Sequence, residues 1–339
     1  MRLIKTEDAV GHVLCHDMTQ IIKDQYKDAR FRKGHVVTEE DIPVLLSMGK
    51  EHLYVWEMTP GMVHENDAAE RLLALCGQEN MIRSGVKEGK IELKAACDGV
   101  FLVDSARLVA VNSQDEVMIA TRKGGMAVRE GDKLAGMRVI PLIIEEEKLR
   151  KAEQAAGDKP LLSLKPYVRK TACIVATGGE VKKGLIKDTF TPVVIDKLKT
   201  YGIETLEVVY SGDGVENVRD AVLAMRGKKP DMILCTGGMS VDPDDNTPGG
   251  IKAAGANIIA YGAPVLPGAM FLLGYFDDGM PVMGLPGCVM YAGATVFDLV
   301  LPKIAADVPV TRADLAALGE GGLCLGCKPC HYPICPFGK

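Results

Sequence analysis

Asp231-Met-Ile-Leu-Cys-Thr-Gly-Gly-Met-Ser-Val-Asp-Pro-Asp-Asp-Asn-Thr-Pro248 is the stretch on which the reading of this chain turns. Met232 to Cys235 is too short for a helix and stops at a turn signal, so it reads as a buried parallel strand. Thr236-Gly237-Gly238 then opens a loop whose missing side chains let backbone N–H groups approach an anion. Ser240 adds a hydroxyl donor, and Asp242, Asp244 and Asp245 follow at once. Donors for a phosphate beside carboxylates for a divalent cation suit a phosphorylated ligand. A lone Gly-Gly would be a decorated strand-to-helix turn; the clustering straight after a buried strand favours a binding site.

Working outward, strands and helices alternate. Thr171 to Ala176 reads as a strand ending in Thr177-Gly178-Gly179-Glu180, and Asp188 to Tyr201 as a helix stopped by Gly202. Thr205 to Val209 is a strand, and Val215 to Met225 a helix capped near Asp213. This β-α-β-α-β order demands a parallel sheet with crossover helices on its faces. Ligands then bind at the carboxyl ends of the strands. Thr177–Glu180, Tyr210–Gly214 and Thr236–Asp245 all fall there. Further on, Ile258 to Phe276 carries no charge and is long enough to suggest a membrane span. Gly262, Pro264, Pro267, Gly268 and Gly274 break it, so a loop and core strands are expected instead. Pro281 to Leu285 is a strand, closed by Pro286-Gly287-Cys288 and a small-residue helix through Leu301 that Pro302 should end.

The 339 residues suffice for two or three domains, and 47% apolar with 25% charged residues is ordinary for a globular protein. A net charge of −5 argues against a nucleic-acid surface or a polybasic membrane patch. Of the ten cysteines, Cys15, Cys76, Cys97, Cys173, Cys235 and Cys288 are scattered, mostly in apolar runs; the other four crowd the last sixteen residues. That pattern suits a reducing cytosol, and the N-terminus has no apolar signal-peptide core, so a cytoplasmic location is expected.

Residues 1–145 read as an α+β, β-rich region. Lys23 to Lys33 is expected to be an exposed loop. Thr38 with Asp41 starts a helix that Gly49 stops. His52 to Trp56 is a strand, and Asn66 or Asp67 caps a helix stopped by Gly77. Short β-type runs follow at Ile91–Leu93, Val100–Val103, Leu108–Val111, Val117–Ile119 and Met137–Ile144. His12, His16, His35, His52 and His64 are dispersed and are taken as structural or surface residues. A charged helix-former run with Gly157 and Pro160 makes residues 146–168 a linker, followed by an α/β domain over 169–310 and a cysteine-rich tail over 311–339.

From Thr171 to Ala305 the ordered motifs resemble the molybdopterin-binding domain of molybdenum-cofactor biosynthesis proteins. Thr177-Gly-Gly-Glu180-Val is similar to the family's Thr-Gly-Asp-Glu-Leu, and Cys235-Thr-Gly-Gly-Met-Ser-Val241 to its Thr-Gly-Gly-Val-Ser-Val. Gly284-Leu-Pro-Gly-Cys288 is similar to its Gly-Leu-Pro-Gly-Asn, and Asp245-Asn-Thr-Pro248 to the Asp-Val-Thr-Pro of smaller, pterin-adenylating relatives. Arg32-Lys-Gly-His to Trp56 weakly resembles the segment that precedes this domain in the molybdenum-inserting branch. The resemblance implies a three-layer parallel-sheet fold. It implies that Thr177, Gly178, Gly179, Thr236, Gly237, Gly238, Ser240, Pro286 and Gly287 hold molybdopterin or its adenylate. It further implies catalytic roles for Asp245, Glu180 and Asp213, with Mg²⁺ at Asp245 and Glu180, molybdate as a second small-molecule partner, and a homo-oligomer.

The departures bear on the reaction. The family's Lys-Pro-Gly-Lys appears as Leu266-Pro267-Gly268-Ala269, so both lysines are absent from a site meant for anions. Gly179 stands for an Asp and Cys288 for an Asn, and Asp188-Thr-Phe190 stands where an Asn would end the triplet. Outside the resemblance, Cys324-x2-Cys327-x2-Cys330-x4-Cys335-Pro336 has spacing suited to Zn²⁺ or a [4Fe–4S] cluster, with His331 able to replace one thiolate. Two readings result: a molybdopterin molybdenumtransferase-like enzyme, or a non-catalytic molybdopterin carrier, chaperone or redox sensor.

Overall fold

A computed structural model describes residues 2–22, 26–55, 60–242 and 245–339. Trp56 and Asp244 lie outside the described residues. The chain forms two compact units. The first takes residues 1–96, 103–124 and 131–163; the second takes 97–102, 125–130 and 164–339.

The first unit is α+β and β-rich. Its largest sheet has four antiparallel strands in the order Met81–Arg83, Ile91–Ala95, Lys133–Val139, Val117–Thr121. The run Lys23 to Lys33 is not simply a loop, because Tyr26–Phe31 pairs antiparallel with Met18–Ile22. Leu108–Val111 is not a strand either: Ser105–Asn112 is a helix. The Asp104 carboxylate accepts from the Arg107 N–H at 3.1 Å and from Arg107 Nε at 2.8 Å, so an N-cap and an ion pair override the weak preference of β-branched residues. The helix Glu65–Leu75 is capped by neither Asn66 nor Asp67. His64 Nδ1 accepts from the Asn66 N–H at 3.1 Å while Nε2 donates to the Cys15 carbonyl at 2.6 Å. Asp41 and Thr38 do meet, through the Asp41 carboxylate accepting from the Thr38 N–H, and the helix begins at Asp41. Much of the stretch read as a linker is ordered: Glu146–Ala156 is a helix that buries Leu149, Ala152 and Ala156.

In the second unit the elements are β1 (Thr171–Thr177), α1 (Gly179–Lys182), α2 (Phe190–Lys199), β2 (Glu204–Ser211) and α3 (Val215–Gly227). They continue as β3 (Met232–Thr236), α4 (Thr247–Ala253), β4 (Asn257–Tyr261), β5 (Leu272–Tyr275), β6 (Pro281–Leu285), α5 (Val296–Ala305) and α6 (Arg312–Ala317). The six strands run in the order β2-β1-β3-β6-β5-β4. The first four are mutually parallel, and β5 and β4 return antiparallel at one edge. Uninterrupted apolar runs make this sheet because both faces are covered. Ala172 and Ile174 point into one core with Val194 and Leu198 of α2 and Val300 of α5. Cys173 and Val175 point into the other with Val218 and Val222 of α3 and Ile251 of α4. The result is three layers. Cys173 and Cys235 are fully buried, and burial pushes the Cys235 thiol up to about 12, so it packs as a hydrophobe.

At the end of the sheet opposite the glycine loops, the Asp231 carboxylate fixes the register of β1 against β3. It accepts from the Lys170 N–H at 2.7 Å, the Thr171 N–H at 2.9 Å and the Thr171 hydroxyl at 2.9 Å.

Pro302 does not end its helix; it lies inside α5. The helix starts later than the apolar run, at a capping box where Thr295 and Asp298 exchange hydrogen bonds. A proline has no N–H for the carbonyl four residues back, here that of Asp298. The Tyr332 hydroxyl donates to that carbonyl at 3.0 Å instead. The cysteine-rich segment is therefore folded onto the core, with Phe337 buried in it and Tyr332 and Phe337 meeting edge to face at 6.1 Å. Among the described residues no helix is long and apolar enough to cross a membrane.

Candidate functional site

The carboxyl ends of β1, β3 and β6 meet at one rim. Beneath it, Thr177 Oγ1 donates to the Thr236 carbonyl at 2.9 Å and lies 3.1 Å from Thr247 Oγ1. The Thr247 hydroxyl donates to the Gly237 carbonyl at 2.9 Å, and its N–H to the Gly238 carbonyl at 3.1 Å. Gly237 and Gly238 have φ of +82° and +58°. A Cβ on Gly237 would lie 2.4 Å from the Thr177 carbonyl oxygen, and one on Gly238 2.6 Å from Thr247 Oγ1. These glycines are thus required by the threonine knot as well as by any ligand. The amides of Gly238, Met239 and Ser240 donate to no protein acceptor among the described residues.

Over the knot opens a cavity of about 480 Å³. Its wall is Gly237–Ser240 and Asp245 on one side, Leu285–Cys288 on another, and Ala269 with Met270 from the loop before β5; Met290 and Tyr291 complete it. Of the residues expected to bind ligand, Gly237, Gly238, Ser240, Pro286 and Gly287 share this wall with Asp245. Thr177 and Thr236 lie below, buried in the knot.

Gly178 and Gly179 make a separate junction. The Gly179 N–H donates to Asp213 Oδ2 at 3.0 Å, and the Gly178 N–H to the Ser211 carbonyl at 3.3 Å. Asp213 does not cap α3, whose first turn has no side-chain cap. A Cβ on Gly179 would lie 2.7 Å from Asp213 Oδ2, so the missing side chain at 179 is what lets this carboxylate close on the loop. Glu180 lies in α1; its side chain is outside what the structure describes.

The wall contains no Lys or Arg among the described residues, and Asp245 is its one formal charge. Burial, with the Asp245 charge behind it, raises the Tyr261 phenol, whose hydroxyl donates to the Met239 carbonyl at 2.9 Å and holds the glycine loop from the edge of the sheet. Burial also raises the Cys288 thiol; a backbone hydrogen bond opposes it, and the Asp298 charge adds to it. Such a thiol is a weak donor and a poor nucleophile at neutral pH. Lys182 of α1 lies at the loop after β2, with Nζ 3.8 Å from a Cβ built on Gly212.

Magnesium needs several converging oxygens. Among the described residues no three His, Cys, Asp or Glu side chains gather where a metal could be held. Asp245 faces the cavity while Asp213 is engaged by Gly179. The four tail cysteines are likewise apart as they stand: Cys324 and Cys335 are half-buried against the core, Cys327 and Cys330 exposed.

Residues 173–306 match a family model described as "Probable molybdopterin binding domain". The second unit contains a molybdopterin-binding domain. A further family model, a domain of unknown function, matches residues 3–57 of the first unit. No curated protein matches the chain. Solved structures similar to it include the protein CinA from Thermoplasma acidophilum, at 17% identity over 40% of this chain and 98% of the other, TM-score 0.34. Another is the molybdopterin biosynthesis enzyme MoaB from Thermus thermophilus, at 16% identity over 42% and 98%, TM-score 0.36. A molybdenum cofactor biosynthesis protein from Pyrococcus furiosus is similar over 93% of this chain and 64% of its own length, at 13% identity and TM-score 0.27. At these identities and scores the likeness says nothing about activity. The matched domain family is one of molybdenum-cofactor biosynthesis, and a small-molecule pterin is the partner that such a domain implies.

Three wall residues, and Tyr261 that braces the glycine loop behind the wall, have no signal in the sequence. Tyr261, Met270, Met290 and Tyr291 reach the site through the antiparallel return of β4 and β5 and the turn after β6, which no local pattern marks. Lys182 could have been found as the first cation after the Thr177–Glu180 motif.

Proposed function

We propose that the domain holds molybdopterin or its adenylate in the rim cavity, phosphate against the amides of Gly238, Met239 and Ser240, and carries it without inserting molybdate. The observation that carries this reading is the wall itself, with unpaired amides for one anionic group and no Lys or Arg for a second. Molybdate beside a phosphate needs added positive charge, and among the described residues the one charge on the wall is the carboxylate of Asp245. A cytoplasmic homo-oligomer fits the cysteine usage and the parallel-sheet domain. The tail thiols would take zinc or an iron–sulfur cluster.

The second reading is the molybdenumtransferase, with Asp245, Glu180 and Asp213 as its acids around Mg²⁺. It is favoured by Asp245 on the cavity wall and by the Gly179–Asp213 contact, which brings a second acid to the neighbouring loop. A single-turnover experiment with adenylated molybdopterin, molybdate and Mg²⁺ separates the two. Retained pterin with no AMP released is expected for the carrier; stoichiometric AMP release would establish the enzyme. Failure to retain any pterin would overturn both.

A further inference from the structure

Three consecutive amides on the cavity wall donate to no protein acceptor among the described residues, and what turns them outward lies on the far side of their peptide planes. In a planar trans peptide the C=O and the N–H point in opposite directions, so whatever holds the carbonyl aims the amide. The peptides of the glycine loop are trans. The Gly237 carbonyl shares a plane with the Gly238 N–H and accepts from the Thr247 hydroxyl at 2.9 Å. The Gly238 carbonyl shares a plane with the Met239 N–H and accepts from the Thr247 N–H at 3.1 Å. The Met239 carbonyl shares a plane with the Ser240 N–H and accepts from the Tyr261 hydroxyl at 2.9 Å; the Ser240 carbonyl lies 3.4 Å from the same hydroxyl. Thr247 thus sets two of the amides, and a tyrosine at the end of the edge strand β4 sets the third.

Met239 does not supply that third constraint itself. Its side chain is buried in the core over Gly284, where an added Cβ would meet Met239 Sδ at 2.5 Å. That contact pins the Met239 Cα but leaves the plane between residues 239 and 240 able to turn about its two flanking bonds. Turned over, it would put a carbonyl oxygen where the third amide stands and repel an anion. A hydrogen bond to the carbonyl also polarises the peptide and strengthens its N–H as a donor. Aim matters here because Asp245 shares the wall and no Lys or Arg among the described residues offsets it.

We propose that Tyr261 is a positioning residue for a three-amide site that takes a tetrahedral oxyanion, here the phosphate monoester of the pterin, and that its hydroxyl gives the site its preference for the phosphorylated ligand. Three donors match the three terminal oxygens of such a phosphate. The pterin rests on the molybdopterin reading above; the three-amide site and its brace do not.

The experiment compares the full-length chain with Tyr261→Phe, which removes one oxygen from a side chain that is 45% exposed. Molybdopterin should bind the variant about fivefold more weakly, the worth of one hydrogen bond, while the dephosphorylated pterin binds both proteins alike. Inorganic phosphate should shift the amide NMR signals of Gly238, Met239 and Ser240 in the unaltered chain, and should bind the variant several-fold more weakly. A tyrosine that merely stabilised the fold would weaken both pterins by the same factor, and that result overturns the proposal. An unchanged molybdopterin Kd, or three amides that phosphate leaves unmoved, would equally overturn it. If no pterin is retained while phosphate still shifts the three amides in a Tyr261-dependent way, the molybdopterin reading falls and the positioning role stands.

Discussion

Tyr332→Phe removes one oxygen and leaves every apolar contact of the ring in place. That oxygen is the donor to the Asp298 carbonyl at 3.0 Å, a carbonyl that Pro302 cannot satisfy. Burial is the main reason the Tyr332 phenol is pushed up, with nearby Tyr201 and Asp298 adding to it, so the hydroxyl stays protonated and able to donate across the physiological range. Leaving a buried carbonyl without a donor costs about 1–3 kcal/mol. For a unit of this size each kcal/mol lowers Tm by roughly 2–4 °C. The decisive comparison repeats the change in Pro302→Ala. There the restored N–H of residue 302 can reach the Asp298 carbonyl as in any helix, and the tyrosine hydroxyl becomes dispensable. Thermal unfolding under reducing conditions on the four proteins gives a double-mutant cycle with an expected coupling of about 1 kcal/mol or more. Equal Tyr332→Phe costs in both backgrounds, or no cost in either, would refute the claim that the tail closes a gap opened by the proline.

Gly238→Ala places a side chain at φ +58° against Thr247 Oγ1; the backbone cost alone is about 1–2 kcal/mol, and pterin retention in a gel-filtration assay should be lost with it. Ala269→Lys returns a cation to the wall and should increase molybdate binding at least several-fold in the presence of pterin, measured by metal analysis after desalting; no increase would mean the charge deficit is not what limits molybdate. Burial alone would raise the Asp231 carboxyl, but hydrogen bonds from Lys170 and Thr171 outweigh it and the net shift is downward. Its stabilisation is therefore present above the ordinary carboxylate value of 3.8 and is lost as pH falls through the lower folded value. Asp231→Asn should lose stability at neutral pH and show a flatter acid limb in pH-dependent denaturation.

The sheet was legible because two-sided burial writes itself as continuous apolar runs, and the loops after Thr177 and Thr236 because glycine pairs punctuate them. Leu108–Val111 misleads because the deciding signal, Asp104 three residues before Arg107, lies outside the β-branched run and is worth more than the run's propensity. Pro302 misleads for a different reason. A proline inside a helix leaves one carbonyl without its usual donor, and the donor here comes from 34 residues further along the chain. No local pattern carries that information.

The glycine loop shows most sharply what sequence could and could not supply. Read alone, Gly237 and Gly238 are a place where amides meet an anion. In the fold both are also forced by contact, since Thr177 and Thr247 occupy the volume their side chains would need. The two requirements are one device: the threonine knot turns the backbone into the left-handed region, and that turn presents Gly238, Met239 and Ser240 to the cavity. Charge is set elsewhere, at Ala269, which comes from the loop before β5 and is tied at its start to the cysteine segment. The exposed amides therefore stand in a wall that has no Lys or Arg among its described residues. The amides come from a backbone that packing fixes, whereas a lysine on the neighbouring loop can be lost without disturbing a single contact of the knot. On the proposed reading, binding and metal insertion are separable for that reason.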